Sequence, residues 1–188
     1  MRVSRAQMAE NRARILAEAG RLFREKGFDA VSIAEVMKAA EMTHGGFYGH
    51  FSSKDDLIAQ AVTHETCDAE SDACGFADYL QYYLSPDHRD GAAGGCATAA
   101  MAPALRYQCA EAREAMAGGI EEQIARVSEA LARDGKGQPE ALRREAIGRW
   151  SAMVGAMIMA RAVDDPALSD ELLAETRAWI AGRAADDT

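Results

Sequence analysis

Residues 32–57 read SIAEVMKAAEMTHGGFYGHFSSKDDL, and the caps in this stretch decide the fold. Ser32 followed by Glu35 has the form of a capping box, in which the hydroxyl accepts from the third helical amide and the carboxylate reaches back to the cap's own amide. The helix it opens runs to about Ala40 and buries Ile33, Val36 and Met37. Thr43 stands three residues later as a second cap, opening a very short helix that reaches about His50. Ser53, with Asp56 at the third helical position, caps a third start whose apolar face is Leu57, Ile58, Ala61 and Val62. Two short helices joined by three or four residues, the second too polar to be core, have the shape of a helix-turn-helix.

The residue types suit that shape. A helix beginning at Ser32 presents its free amides to a phosphate. Thr43, His44 and Gly45 stand at the N-terminal end of the second helix, where a recognition helix meets base edges. Gly45 and Gly46 each cost helix stability by about 0.5–1 kcal/mol relative to alanine, and close approach of backbone to DNA accounts for them. Tyr48 and His50 carry hydrogen-bonding groups suited to phosphate oxygens, and Lys54 adds a charge at the next helix start.

Outward from this stretch the pattern stays helical. A first helix is predicted from about Gln7 to Lys26, with Ile15, Ala19, Leu22 and Phe23 on one face and Gly27 as its terminator. The helix from Ser53 continues to about Ala73, Gly75 breaks it, and Phe76, Tyr79, Leu80 and Tyr83 mark a short amphipathic helix. Ser85 to Gly95 is read as a loop because of Pro86, Asp87, Asp90 and the glycines at 91, 94 and 95. Helices are then predicted over 96–109, 111–134, 139–163 and 168–183, giving an all-α chain of about nine helices.

Composition sets bounds on function. The 188 residues carry a net charge of −9, which alone argues against a nucleic-acid partner. The charge is uneven: residues 1–55 hold nine basic and seven acidic side chains, whereas residues 56–188 hold 12 basic and 23 acidic. A head of +2 on a body of −11 is the asymmetry of a DNA-binding module attached to an acidic domain. No apolar run approaches the roughly 18 residues needed to cross a bilayer, and the first twenty residues have no apolar core of a secretory signal, so a cytoplasmic protein is expected. The cysteines at 67, 74, 96 and 109 lack paired spacing, so reduced thiols are expected. His64 and Cys67 share a helix face but are too few to hold a structural zinc, and neither a metal nor a cofactor is expected.

The segments Ala-Gly-Arg-Leu-Phe at 19–23, Lys-Gly-Phe at 26–28, Ser-Ile-Ala-Glu-Val at 32–36 and Gly-Phe-Tyr-Gly-His-Phe-Ser-Ser-Lys-Asp-Asp-Leu at 46–57 together resemble the DNA-binding head of the TetR family of bacterial transcriptional repressors. The resemblance implies a DNA-binding domain at 1–52 and an effector-binding and dimerisation domain at 53–188. It implies phosphate contacts from Ser32, Tyr48, His50 and Lys54, and base contacts from Thr43, His44 and Gly45. Gly49 departs from the family pattern, where a larger side chain is frequent, so one contact is expected to be missing. Arg2 and Arg5 are candidates for a basic arm over the minor groove. The partners implied are double-stranded operator DNA, a small-molecule effector and a second copy of the chain, with no membrane. The function implied is that of a ligand-responsive repressor rather than an enzyme.

The body is less legible. Phe76, Tyr79, Tyr83, Met101 and Met116 are candidates for an apolar effector pocket, with core packing as the plain alternative. Cys96 follows two glycines at a helix start, where a thiol gains reactivity; it is read either as a sensor of electrophiles or oxidants or as a small packed residue. Cys67 carries the same two readings. Trp150, Met153, Met157, Ile158, Leu172 and Trp179 on the last two helices are candidates for a four-helix dimer interface, the alternative being an intramolecular hairpin. The rival functions are a thiol enzyme using Cys96 with His88 as base, and a protein-binding helical module.

Overall fold

The computed structural model describes residues 4–67, 75–134 and 138–186. Among them are nine α-helices, two 3-10 segments and no strand, so the chain is all-α. Two compact units are present, one within Met1–Ala69 and Cys96–Gly119, the other within Glu70–Gly95 and Ile120–Thr188.

The first unit is built on α1 (Arg5–Lys26), which starts two residues earlier than its apolar pattern indicates because the Ser4 hydroxyl accepts from the Gln7 amide at 3.1 Å. Its buried face of Ile15, Leu16, Ala19, Leu22 and Phe23 packs on α2 (Ile33–Ala39) and α3 (Lys54–Cys67). Gly27 ends α1 at a φ of 78°, and its amide donates to the Phe23 carbonyl at 2.9 Å. The Ser32 cap is present, its hydroxyl accepting from the Glu35 amide at 3.2 Å. The reciprocal half of the expected capping box is replaced: the Glu35 carboxylate pairs with Lys26 at 2.8 Å, a stronger partner than a backbone amide. α2 closes in a Schellman turn, with the Met42 amide donating to Met37 O and the Glu41 amide to Lys38 O. Glu41 takes the left-handed position of that turn, φ 57°, where a Cβ is unfavourable.

The segment after Thr43 departs from expectation. It is a 3-10 helix over His44–Gly49, not an α-helix, and the Thr43 side chain makes no capping bond. Three glycines in six residues remove the propensity that would hold a longer α-helical turn. α3 begins with its Ser53 hydroxyl accepting from the Asp56 amide at 3.0 Å, while the Asp56 carboxylate reaches one residue further back to the Ser52 amide at 2.8 Å. Its predicted continuation to Ala73 and the position of Cys74 lie outside the described residues. α6 (Ala97–Leu105) packs on α1 and α3 within this unit, and the first turns of α7 (Ala110–Asp134) also belong to it.

In the second unit α4 (Phe76–Tyr83) follows Gly75, and the stretch read as a loop instead contains α5 (Pro86–Asp90) and a 3-10 turn over Ala92–Gly94. The reason lies in Ser85: its hydroxyl accepts from the His88 amide at 3.2 Å, and Pro86 sits at the first helical position, where its missing N–H costs nothing. α8 (Pro139–Ala162) and α9 (Pro166–Asp186) pack against each other. α5 is tied to α8 by Arg161, whose guanidinium donates to the carbonyls of His88 at 2.8 Å and Arg89 at 3.0 Å. His88 is buried in this junction, its Nδ1 2.7 Å from the Tyr83 carbonyl and its ring stacked on Tyr82 at 5.3 Å. Gly95 leaves the space that the His88 ring fills: a Cβ there would stand 3.1 Å from Nε2 and 2.9 Å from Arg161.

Burial lowers the His88 pKa, and the Arg161 charge adds to that effect. The folded state therefore holds a neutral ring, so stability is complete above the ordinary histidine value of about 6.5 and falls as pH drops through it toward the lowered one. Urea midpoints are expected to fall between pH 7.5 and 5.5, and a His88→Gln variant is expected to lose its share of that dependence. Glu41→Gly is expected to raise the unfolding free energy by about 0.5–1 kcal/mol, because glycine relieves the left-handed strain. An unchanged urea midpoint would refute it.

Candidate nucleic-acid interface

The short segment after Thr43 is held in place from beneath. Phe47 is 0% exposed and stacks on buried Phe51 with centroids 5.6 Å apart. Burying one such ring stabilises the segment by roughly 1.5–3 kcal/mol, which offsets the glycine costs above it. From α1, Arg12 reaches over the Phe51 ring, its guanidinium carbon 4.5 Å from the centroid, and donates to the His50 carbonyl and to the Gln60 side chain. Sequence reading missed Arg12 and Gln60, which lie 38 and 10 residues from His50; their pairing has no local signature.

This scaffold turns the remaining side chains outward. Tyr48 is 68% exposed and meets Phe47 edge-on at 5.2 Å, so one ring anchors and its neighbour projects. Thr43, His44, Gly45 and Gly49 are exposed, and nothing lies within 4 Å of a Cβ placed on Gly45 or Gly49. Ser32 is exposed at the start of α2. Lys54 is half-buried, its ammonium donating to the Phe28 carbonyl at 2.7 Å, which fixes its position and leaves further N–H donors. His50 is half-buried too; burial, then the Arg12 charge, push its pKa down, so at neutral pH it serves as a hydrogen-bonding group and not as a cation. Ser32, Thr43, His44, Gly45, Tyr48, His50 and Lys54 thus all belong to one compact unit. Arg5 lies exposed in the first turn of α1 instead of in an extended arm, because Ser4 caps the helix ahead of it. Arg2 is outside the described residues.

Residues 15–61 match the sequence pattern of the bacterial regulatory proteins of the tetR family. The head belongs to the TetR family. A relative with a TetR-type head, the HTH-type transcriptional regulator AcrR of Shigella flexneri, is 39% identical over 59 residues, which are 31% of this chain and 27% of that protein. The chain therefore matches only about a quarter of that relative's length. Beyond the TetR-type head the likeness is one of fold. The reduced form of E. coli NemR superposes with a TM-score of 0.72 at 23% identity, over 91% of this chain and 95% of its own. A TetR-family regulator from Cytophaga hutchinsonii gives 0.74 at 19% identity, over 97% and 98%.

The candidate effector residues divide between the units. Cys96, Met101 and Met116 belong to the first, with both methionines buried. Cys96 is half-exposed and caps α6, its sulfur accepting from the Ala99 amide at 3.5 Å. Arg24, nearly buried and paired with Glu65, is lowered in pKa by burial, an effect that the nearby Cys96 sulfur opposes. The Cys67 side chain is outside the described residues, and among those described no cluster of three or more metal-binding groups is present. Phe76, Tyr79 and Tyr83 belong to the second unit. There Tyr83 meets Trp150 edge-on at 5.9 Å, Gln123 donates to the Tyr79 hydroxyl at 2.9 Å, and buried Arg149 lies 5.4 Å over the Phe76 ring while bonding Glu145 at 3.0 Å.

The expected dimer residues fare unevenly. Trp150, Met153 and Met157 are buried within the chain itself, so their surfaces are already consumed by folding. Ile158 and Leu172 are half-buried and Trp179 is 54% exposed. Ile147, Met159 and Leu168 join Trp179 as large apolar side chains facing outward on α8 and α9. Sequence periodicity placed all of these on helices but left open which side of each helix meets the chain's own core.

Arg12→Gln is expected to lower stability by about 1–2 kcal/mol, since it removes bonds to His50 and Gln60 and leaves part-buried acceptors without their partner. The check is a urea transition followed by circular dichroism.

Proposed function

We propose that this chain is a dimeric, ligand-responsive transcriptional regulator, a repressor released from its operator by a small molecule or an electrophile, working in the cytoplasm without a cofactor. The observation that carries this reading is the seating of the 43–50 segment: a fully buried Phe47 holds it rigid while His44, Gly45 and Tyr48 project. In this reading residues 1–52 form the DNA-binding domain, with Lys54 just beyond it adding a contact, and residues 53–188 form the effector-binding and dimerisation domain. Tyr48, His50, Lys54 and Ser32 contact phosphates, and Thr43, His44 and Gly45 face bases. The outward apolar side chains of α8 and α9 receive the same helices of a second copy. Two heads then read half-sites about one DNA turn, roughly 34–36 Å, apart. An effector preferring a different head separation shifts the population away from the DNA-competent state.

Two observations support a response to ligand. The Trp150 indole N–H is buried without an acceptor among the described residues, next to Tyr83, so an acceptor-bearing ligand there gains a hydrogen bond that folding alone leaves unmade. Cys96 caps α6 while staying half-exposed, so an electrophile can reach its sulfur, and one structural neighbour was solved in a form described as reduced. The thiol-enzyme alternative has no support, because the His88 ring it needs as base is buried and engaged by the Tyr83 carbonyl. Among the described residues no helix is long and apolar enough to cross a membrane.

The test is selection of bound duplexes from sheared genomic DNA, followed by gel shifts across a salt series. Binding that is absent, or indifferent to salt, overturns the reading. Tyr48→Phe and Lys54→Gln are expected to weaken binding about equally on all sequences, whereas His44→Ala is expected to change sequence preference by about 1–3 kcal/mol at one position. If Cys96→Ser leaves release by the electrophile N-ethylmaleimide unchanged, the thiol arm of the reading fails.

A further inference from the structure

The turn joining α6 to α7 stands against the start of α3. The Cys109 sulfur lies 3.8 Å from the Asp55 carbonyl, in hydrogen-bond range of the residue that follows Lys54. The turn is pinned on both sides, by Leu105, which is buried, and by Ala112, which is fully buried. Amides of Tyr107 and Gln108 close it by donating to Ala104 and Leu105 at 3.2 and 3.0 Å. Between those anchors the chain turns two large side chains outward. Tyr107 is 72% exposed, more than any other large apolar or aromatic side chain described, and Arg106 is exposed with it. The Arg106 guanidinium lies 4.5 Å over the Tyr107 ring and donates to its hydroxyl.

Folding gains little from this pair. An exposed tyrosine buries little apolar area, and among the described residues the contacts of Arg106 are with Tyr107 and not with a carboxylate. What the pair offers is a guanidinium held flat by stacking, with its outer N–H groups free of any carboxylate, beside a phenol. That is the donor set for a phosphate diester. Its location agrees: Arg106 stands three positions before Cys109, so its backbone lies within about 11 Å of the one seated on Asp55. Asp55, Leu105, Arg106, Tyr107, Cys109 and Ala112 all belong to one compact unit.

We propose that Arg106 and Tyr107, on the α6–α7 turn, form a second phosphate-binding element that extends the DNA footprint beyond the helix-turn-helix. The proposal rests on the DNA-binding reading above. The contact is sequence-independent, because a guanidinium and a phenol aimed at the backbone read no base edge. It also places a DNA contact on the opposite end of α6 from Cys96, so a displacement of that helix withdraws the contact directly.

The test uses the full chain and a fluorescein-labelled duplex recovered in the selection, with anisotropy titrations from 0.05 to 0.3 M salt. Arg106→Gln is expected to weaken binding about 5–10-fold at 0.1 M salt, on recovered and scrambled duplexes alike, and to reduce the salt slope by about one per chain. Tyr107→Ala is expected to give a smaller loss in the same direction, and Arg144→Gln, an exposed charge of the other unit, is expected to change neither quantity. Benzoylphenylalanine at position 107 is expected to photocrosslink to the duplex. If Arg106→Gln and Tyr107→Ala bind as the parent does while Lys54→Gln is weakened, or if Arg144→Gln is weakened as much as Arg106→Gln, the inference falls and the DNA-binding reading stands. If the parent chain binds no duplex, the reading itself falls and takes the inference with it.

Discussion

The burial of Phe47 is the constraint on which the presented surface depends. The segment around it has three glycines, no side-chain cap and 3-10 geometry, so its own hydrogen bonds hold it weakly. Tertiary packing supplies what local structure lacks. Phe47 and Phe51 stack in the core, and Arg12 crosses from α1 to cover the second ring and grip the chain at His50. Remove that grip and the exposed Thr43, His44 and Tyr48 lose their common orientation, whatever their individual chemistry.

The same division between anchor and presented group recurs at the α6–α7 turn. Leu105 and Ala112 are buried while Arg106 and Tyr107 between them are not. In both places a buried seat keeps a polar or aromatic group from collapsing onto the protein, so little ordering entropy would be lost on binding.

Charge supports the arrangement at longer range. The net charge of −9 conceals a positive first 55 residues, and the acidic remainder disfavours unspecific contact of the body with DNA. Within the second unit, ionic and polar groups instead lock elements together: Arg89 spans Asp90, Ser169 and Asp170, and Arg161 holds the carbonyls at the end of α5. Apart from the adjacent Arg89–Asp90 pair, these bonds join residues more than 70 positions apart, and none of those has a trace in local sequence.

The amino-acid sequence by itself determined the caps at Ser32 and Ser53, the terminator at Gly27 and the all-helical class, because each follows from backbone propensities and spacing within a few residues. It misjudged the stretch from Ser85 to Gly95, where a cap and a proline outweigh the glycines, and the helix type after Thr43. Only the tertiary structure decided which face of each helix is spent on the core. Trp150 and Trp179 carry the same sequence signal, yet one is buried and the other is 54% exposed. The difference arises from which neighbours each meets after the chain has folded, and periodicity sets the angle between faces without saying what lies opposite them.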